Sequence, residues 1–395
     1  MVSVWEETDQ WGPEKVLQVY DPDTGMKGVL VIDNTSTGPG KGGIRFAEGT
    51  SPLDVFKLAR TMTWKCAAAG LPFGGAKGGI IADPNSVDRV AWVKSFAKMI
   101  RPYCPGQYIA ATDIGTTELD MAIFAHEIGD MRACTGKPSE LGGIPHELGT
   151  TGYGVTTALE TALEVLSELK AIHIQRDNIK VSIQGFGNVG SFTARFLDSA
   201  GIKVVAISDV SGLVCNKDGL NIPRLMIHMK GKSILSDLDG YDILDKNQIF
   251  EFNSDIFIPA AMGNVIIDKT VTKLLNHGVK IVIEAANLPT SSTADEYLNK
   301  NGVWLIPDFL ANAGGVIGSF VEYQGRTEKE AFELIKYKIS KFIKNILTQA
   351  IMNEENPRIL ALEMSKQRVY RAMLLRKGAI SVAREAYSRK DAISV

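Results

Sequence analysis

A lysine surrounded by glycines is the first feature of this sequence whose residue types could do chemistry. Lys77 lies in LPFGGAKGGI, residues 71–80, with two glycines on either side. Such a stretch suits either a phosphate-binding loop or a catalytic lysine that a substrate approaches closely. The phosphate-binding pattern G-x-x-x-x-G-K-[ST] fails, because Ala76 precedes the lysine and Gly78 follows it. The failed match favours the catalytic lysine.

Two more lysines and an aspartate could act together with Lys77. Lys41 lies among glycines in GPGKGGIR, and Lys65 falls close to the apolar stripe of a predicted helix. A lysine there needs an anion, which is either a substrate carboxylate or a structural aspartate. Asp113, in TDIGTT, follows a predicted strand and precedes a helix, so it is either a site residue or a turn-forming aspartate. Three lysines and an aspartate would suit an amino acid substrate: two cations hold carboxylates while the third, its pKa lowered by burial and repulsion, acts as a base.

A second candidate site lies at residues 180–201, where a glycine-rich turn follows an apolar strand and opens a helix. A second strand ends at Asp209, 19 residues after the last glycine of the turn. This context matches the dinucleotide-binding fingerprint, and the alternative is an ordinary strand–helix turn with a surface aspartate. The predicted cofactor-binding residues of the turn are Gly185, Phe186, Gly187, Asn188, Val189 and Gly190.

The glycines of this turn have different tasks. Gly185 allows a tight turn, Gly187 lets the backbone approach a pyrophosphate, and Gly190 brings helix and strand together. Asp209 would accept hydrogen bonds from the ribose hydroxyls and repel a 2′-phosphate, so NAD is favoured over NADP. NADP stays possible, because Lys217 lies in the same region of the sequence.

Composition limits the function classes. The chain has 395 residues, 45% of them apolar, which is enough for about two globular domains. A net charge of −2 gives no argument for nucleic acid or a membrane as partner. The first residues lack the apolar segment of a signal peptide. The cysteines are widely spaced without a C-x-x-C pair, which gives weak support to a metal site and to disulfides alike, so a reducing cytoplasm is expected. The four cysteines are Cys66, Cys104, Cys134 and Cys215.

The strands and helices that must position these residues follow different patterns in the two halves of the chain. The first half is predicted to mix strands at 27–33 and 107–111 with helices at 51–70, 86–100 and 117–128. Beyond the glycine-rich stretch 142–154, apolar strands alternate with helices, which predicts a doubly wound, Rossmann-type parallel sheet; these strands are expected at 179–184, 203–208, 255–259, 279–283 and 303–306. The chain then continues as helix from 327 to about 387, with a break at Asn356-Pro357.

The predicted fold class is therefore α/β, with two domains. The first, residues 1–147 together with a final helix at about 365–395, would bind substrate and form the oligomer. The second, residues 148–364, would bind NAD(P).

Together the motifs resemble the glutamate/leucine/phenylalanine/valine dehydrogenase family over essentially the whole chain. The motifs that carry the resemblance are GPGKGGIRF (38–46), MTWKCAAAGLPFGGAKGGI (62–80), TDIGTT (112–117), TTGYGV (150–155), GFGNVG (185–190), EAANLPTS (284–291) and NAGGVIGSFVE (312–322). The resemblance implies reversible NAD(P)-dependent oxidative deamination of an L-amino acid to a 2-oxo acid and ammonia.

The resemblance also implies roles for single residues. Lys77 is expected to activate water and polarise the substrate carbonyl, and Asp113 to carry the proton to and from the amine. Lys65 matches the ligand of the α-carboxylate. Three residues are expected near the nicotinamide end of the cofactor: Thr151, Asn287 and Asn312.

The substrate side chain is expected to be that of glutamate. In the glutamate enzymes of this family, the lysine that matches Lys41 and the serine that matches Ser319 bind the distal carboxylate, with Val316 nearby. A buried cation without an anion would disfavour leucine. The predicted substrates are L-glutamate, 2-oxoglutarate and ammonium, and the alternative is a dehydrogenase of a branched-chain or other apolar amino acid.

Some features depart from the glutamate enzymes. The segment DPDTGMKGVLVIDNTSTGP looks more like leucine dehydrogenase, and Glu147 stands near an expected arginine. A homo-oligomer is predicted, with a hexamer favoured over an octamer or dimer. A non-catalytic dinucleotide-binding paralogue is the rival from another class, and it should have lost Lys65, Lys77 or Asp113.

Overall fold

The structure, a computed structural model, describes residues 3–145, 148–173, 178–229 and 234–376. It divides into two compact units. The first unit consists of Met1–Pro145, Ser319–Glu328 and Leu362–Val395, and the second of His146–Gly318 and Lys329–Ala361. The functional domains predicted above stay predictions; Glu147, at their boundary, and residues 377–395 lie outside the described residues.

The first unit contains a mixed six-stranded sheet. Its strands are β1 (Lys15–Tyr20), β2 (Lys27–Asn34), β3 (Gly40–Lys41), β4 (Ile44–Phe46), β5 (Gly74–Ile80) and β6 (Tyr108–Ile109). Their order is β1-β2-β5-β3-β6, and β4 also pairs with β5. The pairings of β1 with β2 and of β2 with β5 are antiparallel, whereas β3 and β4 run parallel to β5.

Helices α1 (Pro52–Ala68), α2 (Arg89–Ile100) and α3 (Glu118–Ile128) belong to this unit. The predicted start of α1 is confirmed, since the Ser51 side chain accepts a hydrogen bond from the Asp54 N–H. The start of α3 is confirmed as well, where Thr117 and Asp120 form a reciprocal capping box.

The glycine-rich stretch around Lys77 forms the buried strand β5, which the sequence did not predict. Gly75 in this strand allows α1 to pack closely on the sheet. A Cβ at Gly75 would lie 2.2 Å from Thr63 Oγ1 and 2.4 Å from the Ala59 carbonyl oxygen. No larger residue fits without moving the helix. The lysine therefore projects from a rigid central strand and not from a loop.

The second unit contains the predicted doubly wound sheet. Its strands are β7 (Lys180–Gln184), β8 (Lys203–Ser208), β9 (Leu213–Cys215), β10 (Ile256–Pro259), β11 (Ile281–Ile283) and β12 (Trp304–Ile306). Their order is β12-β11-β10-β7-β8-β9, with every pairing parallel except that of β8 with β9. The five predicted strands are confirmed, with ends that shift by at most two residues.

The remaining helices follow the alternation expected of this fold. They are α4 (Thr150–Glu168), α5 (Asn188–Ser199), α6 (Ile222–Met229), α7 (Asp268–Asn276), α8 (Ser292–Lys300), α9 (Asp308–Ala311), α10 (Gly314–Tyr323), α11 (Glu328–Asn353) and α12 (Pro357–Arg376). The predicted break at Asn356-Pro357 lies between α11 and α12. Among the described helices, none is both long and apolar enough to cross a bilayer.

Candidate active site

Three basic side chains project from one face of the first unit's sheet. In the strand register, Lys41 lies opposite Gly75, and Arg45 lies opposite Gly79. Opposed residues share a face, and so do residues two apart on one strand. Lys77, which lies between these two glycines on β5, therefore shares its face with Lys41 and Arg45.

The Asp113 carboxylate joins two of these cations. Its Oδ1 lies 2.9 Å from Lys77 Nζ, and its Oδ2 accepts a hydrogen bond of 2.9 Å from Arg45 Nε. The Lys77 side chain is only 6% exposed, against 25% for Arg45. The structure thus brings together the two residues predicted to be catalytic and adds an arginine that the sequence did not single out.

Burial and charge set the protonation of this pair in opposite directions. Burial lowers the pKa of Lys77 below its ordinary value, which the attraction of Asp113 only partly offsets. Burial alone would raise the pKa of Asp113, but the charges of Lys77 and Arg45 outweigh it and hold that pKa below its ordinary value. The aspartate is therefore an anion, and the lysine loses its proton more readily than a solvated lysine.

The loop after β6 fixes Asp113 from its backbone side. The Asp113 N–H donates to Thr116 Oγ1 at 2.7 Å, and the Thr116 hydroxyl lies 2.9 Å from the Ile44 carbonyl oxygen. Arg89 donates to the Gly115 carbonyl at 2.9 Å. Asp113 therefore forms a turn through its backbone while its side chain pairs with two cations, and its catalytic role stays a prediction.

Lys41 is almost fully buried, and its Nζ donates to the Ala110 carbonyl oxygen at 2.7 Å. Burial lowers its pKa to about 8, and the carboxylate of Glu322 opposes that effect. Glu322 is itself paired with Lys137, with 2.5 Å between Lys137 Nζ and Glu322 Oε1. Lys41 is thus a buried lysine that loses its proton more readily than a solvated lysine.

Three further residues are predicted to bind the substrate. Lys65 is buried on α1 beside its chain neighbour Cys66, and the positive charges of Lys41 and Lys65 both act on the Cys66 thiol. Burial nevertheless raises the pKa of that thiol to about 12. Ser319 is half-buried on α10 in the first unit, whereas Val316 is buried and belongs to the second unit.

The turn between β7 and α5 has the backbone of a dinucleotide site. Gly185 has φ of +100°, which favours glycine, and a Cβ at Gly190 would lie 1.9 Å from the Gly185 carbonyl oxygen. A Cβ at Gly187 would meet nothing within 4 Å, so space is open above the start of α5. A helix N-terminus with open space above it suits a pyrophosphate. Phe186 is buried, Asn188 is exposed and Val189 is half-buried.

Asp209 lies at the end of β8 as predicted, but local donors occupy its carboxylate. Oδ1 accepts from the Ser211 N–H at 2.7 Å, the Ser211 hydroxyl at 2.6 Å and the Gly212 N–H at 3.1 Å. Oδ2 accepts from the Leu235 N–H at 2.9 Å. Binding of the ribose by Asp209 stays a prediction, with fewer lone pairs left for it than the sequence suggested.

Two of the three residues expected near the nicotinamide touch each other. The Asn312 side-chain amide donates to Asn287 Oδ1 at 3.0 Å and to the Ala285 carbonyl at 3.1 Å. Thr151, on α4, approaches the glycine pair after Asn312, since a Cβ at Gly315 would lie 2.7 Å from its hydroxyl oxygen. In the second unit, Asn287 and Asn312 are thus in contact, and Thr151 lies beside the start of α10.

Two family models cover nearly the whole chain. The Glutamate/Leucine/Phenylalanine/Valine dehydrogenase model matches residues 142–377, and the Glu/Leu/Phe/Val dehydrogenase dimerisation-domain model matches residues 13–130. The chain belongs to this family. The resemblance drawn from the motifs is thereby confirmed.

Relatives within the dehydrogenase family are similar over most of their length. The NADP-specific glutamate dehydrogenase of Saccharolobus shibatae is 34% identical, covering 92% of this chain and 90% of the relative. The catabolic NAD-specific glutamate dehydrogenase of Bacillus subtilis is 36% identical, covering 88% and 85%. A solved structure, the hetero-hexameric glutamate dehydrogenase of Thermus thermophilus in its leucine-bound form, is 25% identical with a TM-score of 0.80, covering 92% and 90%.

The sequence did not single out three polar contributors to this dehydrogenase. Arg45 could have been found, since it follows Lys41 at a strand's even spacing in GKGGIR. The partnership of Glu322 with Lys137 spans 185 positions, and no local pattern indicates it. Nor does any local pattern indicate Arg358, which lies among buried carboxylates of the second unit.

Proposed function

We propose that this dehydrogenase catalyses the reversible NAD(P)-dependent oxidative deamination of L-glutamate to 2-oxoglutarate and ammonia. The observation that carries the proposal is the ion pair of buried Lys77 with half-buried Asp113, with Lys77 on the same sheet face as a second buried lysine, Lys41. The similarity to two glutamate dehydrogenases at 34% and 36% identity supports it.

The residues of the first unit would share the chemistry. Bound NAD(P)⁺ supplies the acceptor for the hydride that leaves the substrate Cα. Lys77, which burial prepares for proton loss, activates the water that attacks the iminium carbon. Asp113 receives and returns the amine proton, and Lys65 holds the α-carboxylate.

Recognition of glutamate would rest on Lys41 and Ser319. A charged Lys41 pairs with the distal carboxylate, and Ser319 donates a hydrogen bond to it, with Val316 as an apolar neighbour. An apolar substrate would leave Lys41 without an anion, and a buried unpaired charge is costly. This cost favours glutamate over leucine or valine.

The second unit would hold either form of the cofactor. The turn from Gly185 to Gly190 receives the pyrophosphate, and Thr151, Asn287 and Asn312 contact the nicotinamide end. Asp209 favours NAD, although its local hydrogen bonds weaken that argument. One similar enzyme is NADP-specific and another is NAD-specific, so family membership leaves the choice to experiment.

The assembly is proposed to be a homo-oligomer, and specifically a hexamer. A dimerisation-domain model matches residues 13–130, and a similar structure is a hetero-hexamer. The reaction is placed in the cytoplasm, where the four free cysteines would stay reduced.

A substrate panel with the purified protein tests the proposal. Glutamate, leucine, valine and phenylalanine are each assayed with NAD⁺ and with NADP⁺, and glutamate is expected to give the highest kcat/KM. Faster turnover of leucine or valine would establish the apolar alternative instead. Dinucleotide binding without oxidation of any amino acid would establish the non-catalytic paralogue.

A further inference from the structure

Arg45 shares the carboxylate of Asp113 with Lys77. One carboxylate oxygen faces Lys77 Nζ and the other faces Arg45 Nε, each at 2.9 Å. Each cation thus has an oxygen of its own, and the carboxylate is oriented from both sides. Charge-assisted hydrogen bonds of this kind fix geometry as well as charge.

The three side chains come from separate backbone elements that hold their relative positions. Arg45 stands on β4 and Lys77 on β5, which pair in register, with Ile44 opposite Gly78. Asp113 comes from the loop after β6, and Thr116 ties that loop back to β4 through the Ile44 carbonyl. The position of Arg45 beside Asp113 is therefore set by the pairing of β4 with β5 and by the hydrogen bond from Thr116 to the Ile44 carbonyl of β4.

We propose that Arg45 is a positioning residue for the reaction, which keeps the Asp113 carboxylate divided between two cations so that Lys77 does not hold it alone. This inference rests on the proposed function of Lys77 and Asp113. With Arg45 in place, Asp113 stays ionised and oriented while Lys77 gives up its proton to act on water. Without Arg45, the Asp113 carboxylate would pair with Lys77 alone, and this ion pair would keep Lys77 protonated.

The groups around the pair act on its charges in different directions. Arg45 repels the charge of Lys77, whereas Asp113 attracts it. The charge of Asp113 also acts on Tyr108, on β6, whose hydroxyl donates to the Gly42 carbonyl at 2.9 Å. Burial raises the pKa of that hydroxyl well above its ordinary value, so it stays neutral.

Two substitutions separate the charge of Arg45 from its geometry. Arg45→Gln removes the charge, and Arg45→Lys keeps it but loses the planar Nε donor. Arg132→Gln is the matched control: it removes one positive charge from a side chain of the same unit that is 67% exposed and paired with Asp130. Dinucleotide binding, which is proposed for the second unit, should be unchanged in all three variants, and a cooperative denaturant unfolding transition of the first unit checks that the mutated unit is folded.

Two readouts are measured from about pH 6 to about pH 10. The first is kcat/KM for glutamate oxidation, and the second is the rate at which an amine-reactive acylating reagent modifies Lys77, followed by peptide mass spectrometry. In Arg45→Gln, both profiles should move to higher pH by about one unit, the usual size of the effect of a neighbouring charge. Arg45→Lys should restore both profiles while kcat stays below wild type, and the control should match wild type.

A purely structural role would give another result. Activity would then fall by the same factor at every pH, and the modification profile of Lys77 would not move in Arg45→Gln. That outcome would overturn the inference. Should the wild-type protein oxidise no amino acid, the proposed function fails, but the modification profiles still decide whether Arg45 controls the protonation of Lys77.

Discussion

Glu322 and Lys137 form a buried ion pair in the first unit, with side chains 1% and 5% exposed and 2.5 Å between Oε1 and Nζ. The second carboxylate oxygen accepts hydrogen bonds from the Gly136 N–H at 2.9 Å and the Ile144 N–H at 3.1 Å. The same carboxylate is the strongest attractive influence on the charge of buried Lys41. A glutamate on α10 thus stabilises a loop and a proposed substrate ligand together.

Glu322→Gln should destabilise the protein because it leaves Lys137 buried without its anion. Breaking a buried pair by removing one partner costs about 3–5 kcal/mol of unfolding free energy. Denaturant unfolding of wild type and variant measures the loss. The double variant Glu322→Gln with Lys137→Met should recover part of it, and a loss below about 1 kcal/mol, as for an exposed pair, would contradict the structural account.

Binding of a dicarboxylate should weaken as Lys41 loses its charge. Because the pKa of Lys41 is lowered to about 8, the ammonium form dominates below that pH and disappears above it. The inhibition constant of glutarate, which has no amine of its own to titrate, should be flat below pH 8 and rise up to about tenfold per pH unit above it. Lys41→Leu should bind glutarate weakly at every pH, and a flat wild-type profile up to about pH 10 would be inconsistent with this role.

Three carboxylates surround Arg358 in the second unit. Its guanidinium lies 2.6 Å from Glu284, 3.3 Å from Asp295 and 3.7 Å from Asp308. Glu284 also accepts from the Asp308 N–H at 2.9 Å, and Asp308 accepts from the Leu288 N–H at 2.9 Å. Through Asp308 the cluster holds the loop that carries Asn287. The three carboxylates share the guanidinium of Arg358.

Glu284 should make stability fall as pH rises. Burial raises its pKa to about 7 despite the attraction of Arg358, so between about pH 4.5 and pH 7 the folded state binds more protons than the unfolded state. The unfolding free energy contributed by Glu284 is therefore highest at the acid end and is lost towards pH 7. Glu284→Gln removes this loss, so its stability relative to wild type should improve from about pH 5 to about pH 7 in denaturant unfolding. A difference that does not change with pH would show that Glu284 does not titrate in this range.

Asp113→Asn should remove catalysis and leave cofactor binding intact. The amide keeps the shape of the side chain but can neither carry the amine proton nor balance Lys77 and Arg45. Losing a proton-transfer group lowers kcat by about 10²–10⁴-fold, while the dissociation constant of the reduced dinucleotide, followed by its fluorescence, should stay at the wild-type value. A decrease in kcat below about tenfold would remove Asp113 from the proton-carrying role.

Local signals in the sequence predicted local structure well. The SPLD motif located the start of α1, and residues 203–208 were predicted as the strand that the structure contains. The glycine-rich strand β5 was not predicted, because glycine is a poor strand former and its use here depends on the close approach of other elements, such as that of α1 to Gly75.

Sequence patterns singled out residues of the candidate site but not the partners of these residues. Lys77 and Asp113 came from their glycine-rich and strand-end contexts, yet their distance depends on how β4, β5 and the loop after β6 meet. The hydrogen bonds of Asp209 to Ser211 and Leu235 likewise depend on tertiary structure, which no spacing rule contains.

Discrimination between glutamate and norvaline tests the central claim most directly, because norvaline has a side chain of similar length without the distal carboxylate. The ratio of kcat/KM for the two substrates is measured in wild type and in Lys41→Leu. Wild type should strongly prefer glutamate. Truncating one partner of a buried charge pair costs about 3 kcal/mol, so the substitution should lower the ratio by about a hundredfold or more. Norvaline turned over faster than glutamate by the wild type, or a ratio that Lys41→Leu leaves unchanged, would contradict the account.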